Sequence, residues 1–125
     1  MRIVINGWFT DQPTTGSGQY LAALLEWLPR VGDKHEFVVV GPKSGEAAKT
    51  FPVPRFPLPV PRFPPQLAKL WFEQIAFPVA CRRLRADVAF VPYWGAPIWS
   101  PCPLVVTVHD LIPLLLPAYR GGLLQ

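Results

Sequence analysis

The sequence lacks several features that would assign it to a functional class at once. Its 125 residues include only two cysteines and two histidines, and only 16% are charged. Cys81 and Cys102 are not in a C-x-x-C arrangement, which favours reduced thiols in a cytosolic protein. No apolar run reaches the ~18 residues of a membrane-spanning helix. Arg2 leads directly into strand-like residues 3–5 with no signal-peptide pattern, so we expect a cytoplasmic protein.

The sequence also lacks the common nucleotide-binding motifs. Gly16-Ser17-Gly18 precedes a helical pattern, but Leu21 occupies the third glycine position of the dinucleotide fingerprint, and no Gly-Lys-Ser/Thr is present. Two general properties remain. Glycines allow close backbone approach, and a helix N-terminus offers free amides to a phosphate. A flexible loop entering a helix explains the same residues equally well.

The composition predicts one domain with a packed core. Half of the residues are hydrophobic, and the mean hydropathy is +0.25. The net charge of +4 favours weak attraction to phosphates or anionic lipids, which leaves peripheral association with the inner membrane face open. The arginines are dispersed, apart from Arg82, Arg83 and Arg85, so we expect no nucleic-acid partner.

Strand patterns alternate with helical patterns along the chain. We predict strands at 2–6, 36–40, 87–91 and 104–108, and helices at 17–28 and 66–84. Ser17 is the candidate N-cap of the first helix, Pro29 and Gly32 mark its end, and Pro78 should kink or break the second helix. Alternation of this kind predicts parallel βαβ units, that is, half of a doubly wound α/β sheet.

The middle of the chain is rich in proline. The sequence contains 17 prolines, many of them in the segment 51–65, where Val-Pro-Arg-Phe-Pro at 53–57 recurs at 60–64. Because proline lacks a backbone donor, we expect no central strand here, but an extended loop with Arg and Phe pointing alternately outward. Such a loop could dock an anionic or lipidic acceptor, or it could be a stiff connector.

The strongest candidate for chemistry follows the last predicted strand. Residues 104–108 are apolar or β-branched and lead directly into His109 and Asp110. Ligands of open α/β sheets bind beyond the carboxyl ends of strands, and an imidazole there can donate, accept or carry charge near neutral pH. The alternative is that Asp110 caps the next turn and His109 is a loop residue with its hydrogen bonds satisfied.

Several segments together resemble a known family. They are, in order, Gly-Ser-Gly-Gln-Tyr, Trp-Phe-Glu-Gln, Ala-Asp-Val-Ala-Phe-Val-Pro-Tyr and Val-Thr-Val-His-Asp-Leu-Ile-Pro. The order resembles the amino-terminal domain of family-4-type glycosyltransferases, retaining enzymes of the GT-B fold that include many bacterial mannosyl- and glucosyltransferases. The resemblance implies a Rossmann-like domain that binds mostly acceptor. It also implies transfer of a hexosyl group from a nucleotide sugar to a glycan or lipid-linked acceptor, without a metal or other cofactor.

The resemblance also implies roles for individual residues. Gly16 and Gly18, with Ser17 between them, would approach the donor diphosphate. His109 would sit beside the transferred sugar. The acceptor side would be lined by Asp110 and the loop at Tyr93-Trp94. Ser17 departs from the family pattern, which has Ile or Val between the glycines.

Two other functional classes stay open beside this interpretation. One is a stand-alone phosphate- or nucleotide-binding α/β module. The other is a non-catalytic protein that recruits a partner through its Pro-Arg-Phe loop.

The sequence ends at Gln125 and contains no paired-glutamate motif, which in the family belongs to a second domain. We therefore interpret residues 1–125 as a partial N-terminal domain without its C-terminal donor-binding domain.

Made alone, the chain should transfer no sugar and should associate at micromolar concentration, because Leu114-Leu115-Leu116 and Leu123-Leu124 would lack a covering helix. Light scattering and a transfer assay test this. A monodisperse, active monomer would contradict it.

Overall fold

The computed structural model describes residues 1–43 and 51–116, which form a five-stranded parallel sheet flanked by helices. The strands are β1 (Arg2–Asn6), β2 (Glu36–Pro42), β3 (Arg55–Leu58), β4 (Val88–Val91) and β5 (Leu104–Val106). The helices are α1 (Gly16–Val31), α2 (Pro65–Trp71), α3 (Phe77–Arg83) and α4 (Ile112–Leu115), with a π-helical turn at Phe72–Ala76 between α2 and α3.

The strand order is β3-β2-β1-β4-β5, and every neighbouring pair is parallel. The prediction of an α/β Rossmann-like sheet is therefore confirmed. With β1 at the centre, the chain moves outward first to one side and then to the other. This topology brings the carboxyl ends of β1, β4 and β5 side by side at one edge.

The central strands are covered on both faces, with successive side chains packed on opposite sides. The outermost strand β5 is not buried as its apolar sequence predicts, since Val105 is 53% exposed. Val4 belongs to a cluster with Phe72, Phe77 and Cys81 of the helical segment 65–83. Ile5, its neighbour in β1, belongs instead to the cluster around α1, which includes Leu21, Leu25, Val39 and Val53. Each core residue named here is less than 9% exposed. Cys81 and Cys102 are free thiols, and burial raises the pKa of Cys81 to about 12.

The first helix begins earlier than predicted. Thr15, not Ser17, is the N-cap: its hydroxyl accepts a hydrogen bond from the Gly18 amide at 3.0 Å. The helix also continues through Pro29 to Val31, and the Gly32 amide bonds to the Leu28 carbonyl at 2.8 Å. Ser17 is consequently the second residue of the helix, where its side chain is free for other contacts.

The second helical segment is interrupted before Pro78 rather than at it. The Phe77 amide bonds to the carbonyl of Phe72, five residues earlier, and this widened turn directly precedes Pro78. In a regular helix, a proline ring clashes with the carbonyl four residues earlier. The widened turn accommodates that ring, and Glu73, which lies within the turn, is 6% exposed.

The proline-rich segment is not entirely the loop that the sequence predicts. Residues 55–58 form β3 at the edge of the sheet, where Pro57 needs no donor on its outer side. Arg55 does not point outward either. Its guanidinium donates to both carboxylate oxygens of Asp11 at 2.8 and 3.1 Å, and to the Pro42 carbonyl at 2.8 Å. The first Val-Pro-Arg-Phe-Pro copy is thus part of the sheet, while residues 61–64 of the second are exposed.

The last strand is shorter than predicted and ends at Val106, because its neighbour β4 ends at the paired residue Val91. The Thr107 amide still bonds to the Val91 carbonyl at 2.9 Å, so residues 107–110 begin directly at the sheet edge. Leu115 and Leu116 are exposed, as expected, whereas residues 117–125 lie outside the described part of the chain, together with the expectation for Leu123 and Leu124.

Gly18 is required by close packing at the start of α1, and its replacement tests this. A Cβ atom there would lie 1.9 Å from the Gln12 carbonyl oxygen, whereas one at Gly16 would have nothing within 4 Å. We expect Gly18→Ala to lower the free energy of unfolding by about 1–3 kcal/mol, as overpacking does. Gly16→Ala should be neutral or slightly stabilising. Urea denaturation of both variants measures the difference, and equal effects would contradict the packing argument.

Candidate functional site

A cavity of about 310 Å³ lies at the edge where the strands end. It is lined by Phe9, Ser17, Lys69, Tyr93, Trp94, His109 and Asp110, and we refer to it as the strand-end cavity. These residues come from the loop after β1, the start of α1, helix α2, and the loops after β4 and β5. The structure thus brings five of the seven residues predicted as site residues into one cavity. Their chemical roles remain predictions.

His109 has a fixed orientation in this cavity. Its Nε2 lies 3.0 Å from the Pro92 carbonyl oxygen, which can only accept, so Nε2 carries the proton. The ring also meets Tyr20 edge-on, with 4.7 Å between ring centroids. In the neutral imidazole the other nitrogen, Nδ1, is then a hydrogen-bond acceptor. His109 therefore has one satisfied nitrogen and one that can accept from a ligand hydroxyl.

Asp110 lines the cavity and also accepts a hydrogen bond within the turn that leads into α4, whose N-cap residue is Leu111. One carboxylate oxygen accepts a hydrogen bond from the Ile112 amide at the start of α4. This capping contact is the structural alternative that the sequence left open, and it leaves the second carboxylate oxygen as a further acceptor. The residue is exposed, so a ligand in the cavity can reach it.

The start of α1 meets the cavity through Ser17 alone. Gly16 and Gly18 do not line it. Gly16 is exposed, and Gly18 is buried beneath the Gln12 carbonyl with its amide bonded to Thr15. The first amides of a helix have no partner within the helix, so those of Gly16 and Ser17 are the ones available to an anion. The close approach provided by Gly18 serves the preceding loop.

Aromatic side chains form the walls of the cavity. Trp94 is 55% exposed, whereas Tyr93 is 3% exposed and meets Phe9 edge-on, with 4.8 Å between ring centroids. The Tyr93 hydroxyl is buried beside Glu73 and Asn6 but forms no hydrogen bond of normal geometry with the described residues. Its burial, followed by the negative charge of Glu73, raises the Tyr93 pKa far above its usual range. Tyr93 is therefore a neutral phenol at physiological pH.

The sequence interpretation missed the charged residue of the cavity floor, Lys69. Its ammonium lies 2.5 Å from an Oε1 oxygen of Glu73 and faces the rings of Tyr93 and Phe9, at 5.1 and 5.9 Å from their centroids. The i, i+4 spacing of Lys69 and Glu73 on a predicted helix is the sequence signal that could have identified the pair. The spacing does not show that the carboxylate is buried.

Two further properties concern only residues 1–43 and 51–116. No group of three or more His, Cys, Asp and Glu side chains there is placed to hold a metal ion. None of the helices in this part is both long and apolar enough to cross a membrane.

The comparisons with known proteins agree with this architecture. The family model described as Glycosyltransferase Family 4 matches residues 14–125, which include every residue of the strand-end cavity except Phe9. No curated protein matches the chain. Because the family model covers most of the sequence, the chain belongs to glycosyltransferase family 4.

Proposed function

We propose that the chain is the acceptor-side domain of a retaining glycosyltransferase. The reaction would transfer a hexosyl group, of mannosyl type, from a nucleotide sugar to a glycan or lipid-linked acceptor. The observation that carries the proposal is the strand-end cavity, where Ser17, after β1, meets His109 and Asp110, after β5. Membership of the family supports the reaction class. The proposal assigns no metal or other cofactor to this domain.

The roles follow from the groups that each residue presents. Ser17 and the first amides of α1 would face the donor diphosphate, where the partial positive charge of the helix N-terminus favours an anion. His109 Nδ1 would accept a hydrogen bond from a hydroxyl of the transferred sugar. Trp94 would stack on the acceptor, and the free oxygen of Asp110 would accept from one of its hydroxyls.

Transfer requires the donor to be held against the acceptor, which reduces the entropic cost of bringing them together. By resemblance to the family, a second domain with a paired-glutamate motif holds the nucleotide sugar. The proposal therefore places catalysis between the strand-end cavity and a donor-binding domain. The direct test joins this chain to the donor-binding domain of a family member and measures sugar transfer to a panel of glycans and lipid-linked acceptors.

The role of His109 can be separated from its structural contacts. In the joined protein, His109→Ala should lower kcat by about 10²-fold, as loss of one preorganised polar contact to the reacting group does. The melting temperature should change by only about 2 °C, because the ring is exposed. His35→Ala is the matched control, since His35 is the other histidine and lies at the opposite end of the sheet, beside Met1. Parallel losses of activity and stability in His109→Ala would support a structural role instead.

A lipid-linked acceptor would bring the protein to a membrane, and we propose that this is the inner face of the cytoplasmic membrane. The outer side of α2 supports the proposal. Phe63, Leu67, Leu70 and Ile75 line an apolar groove there with Ile98, and each is at least 47% exposed. Arg62, beside Phe63, is also exposed and would face anionic headgroups.

Vesicle binding tests this surface. The chain should sediment with vesicles containing phosphatidylglycerol, and Leu67→Glu with Leu70→Glu should weaken binding about tenfold or more. These changes remove two apolar side chains that would insert into the bilayer, and they add two negative charges that anionic headgroups would repel. Val31→Glu is the matched control, because Val31 is 82% exposed on α1. Equal sedimentation of all variants, or none for the unmodified chain, would reject the membrane surface.

A further inference from the structure

The floor of the strand-end cavity holds a charge that the proposed roles do not use. Lys69 is 33% exposed and lines the cavity, while the Glu73 side chain is 8% exposed and lies behind it. The cation is thus presented to the ligand, and the carboxylate that neutralises it is withdrawn into the protein. A ligand in the cavity meets an ammonium whose charge is already compensated.

The position of Glu73 is set by the packing around it. Glu73 lies in the π turn before Pro78, where Phe72 and Ala76 are also buried. Gly95 packs against the same carboxylate, since a Cβ atom there would lie 2.5 Å from Glu73 Oε1 and 2.3 Å from the Tyr93 ring. The carboxylate is therefore fixed beside Lys69 by packing from two sides.

Apart from the partial positive charge at the start of α1, which the proposed function assigns to the donor diphosphate, the remaining groups of the cavity carry no permanent positive charge. Asp110 contributes a second carboxylate, Ser17 a hydroxyl, and Trp94 an uncharged aromatic face. One permanent cation is thus accompanied by two carboxylates. Aromatic faces with hydroxyl and carboxylate groups suit the C–H faces and hydroxyls of a sugar ring, whereas a phosphate or carboxylate on that ring would be repelled.

We infer that Glu73 is a specificity-determining residue: by neutralising Lys69 from behind the strand-end cavity, it makes the cavity accept an uncharged sugar unit and reject an anionic one. The inference rests on the proposed function in taking the ligand to be a sugar. Lys69 then donates to a sugar hydroxyl through a proton that Glu73 does not engage. An ammonium without Glu73 would instead attract anionic sugars.

Ligand-observed NMR titration of the chain with two probes tests the inference. The probes are methyl α-mannopyranoside, which is uncharged, and mannose 6-phosphate. The unmodified chain should bind the uncharged probe about tenfold more tightly. Glu73→Gln should raise the affinity for mannose 6-phosphate by about tenfold or more. Removing one nearby negative charge strengthens the attraction between the ammonium and the phosphate by an energy that corresponds to roughly this change in affinity. The affinity of Glu73→Gln for the uncharged probe should change less than about threefold.

Matched variants separate the cavity from general charge effects. Glu26→Gln removes the same charge from an exposed i, i+4 pair with Arg30 on α1. It should leave the preference for the uncharged probe over mannose 6-phosphate unchanged. Lys69→Gln alters the more exposed partner and should weaken the binding of mannose 6-phosphate further. This variant also tests the inference if Glu73→Gln does not fold.

The inference is overturned if the unmodified chain prefers mannose 6-phosphate, if it binds neither probe, or if Glu73→Gln leaves the ratio unchanged. If Glu73→Gln does not fold, the inference is also overturned when Lys69→Gln leaves the ratio of the two affinities unchanged. Failure of the proposed function gives a different result. Selective binding without any transfer by the joined protein rejects the transferase and leaves the sugar site, whereas transfer without selectivity rejects only the role of Glu73.

Discussion

The parallel alignment of β1, β4 and β5 is the constraint on which the site depends. Parallel strands end at the same edge, so the residues that follow β1, β4 and β5 meet although they are far apart in sequence. The hydrogen bond from His109 to the Pro92 carbonyl joins two of these strand ends directly. The contact of Tyr20 with His109 then fixes α1 against the same edge. An antiparallel β5 would place His109 at the opposite end of the sheet.

The sequence predicts the central fold well because its signals there are strong and agree with one another. Residues 3–5 and 37–40 are runs of apolar, mostly β-branched residues, a pattern typical of parallel strands buried on both faces. The edge strand β3 escaped prediction for a physical reason. Proline removes donors, which excludes a central strand but permits an edge strand whose outer side needs none. The pairing of Arg55 with Asp11 is equally invisible in sequence, because 44 residues separate them.

In the candidate site too, local sequence patterns predict some residues, whereas others depend on how the chain folds. His109 and Asp110 could be predicted because they follow an apolar strand pattern, whereas Tyr93 and Trp94, which follow β4, were implied by the resemblance to the family. Lys69 could not be placed in this way, since its position depends on which side of α2 faces the sheet edge. For Gly18 the structure adds a reason that the sequence does not show, because the Gln12 carbonyl of the protein itself occupies the space that a Cβ atom would need.

The π turn connects the packing of the helices to the chemistry of the cavity. Pro78 and the apolar residues around it are needed to cover the sheet, and Phe72 and Phe77 on either side of the turn are fully buried. Glu73 lies in the widened turn beside these apolar residues and is only 6% exposed. A buried carboxylate is costly unless it is paired, and Lys69 one turn earlier provides the partner. The charge of Lys69 is therefore compensated by a carboxylate from the same helical segment that covers the sheet.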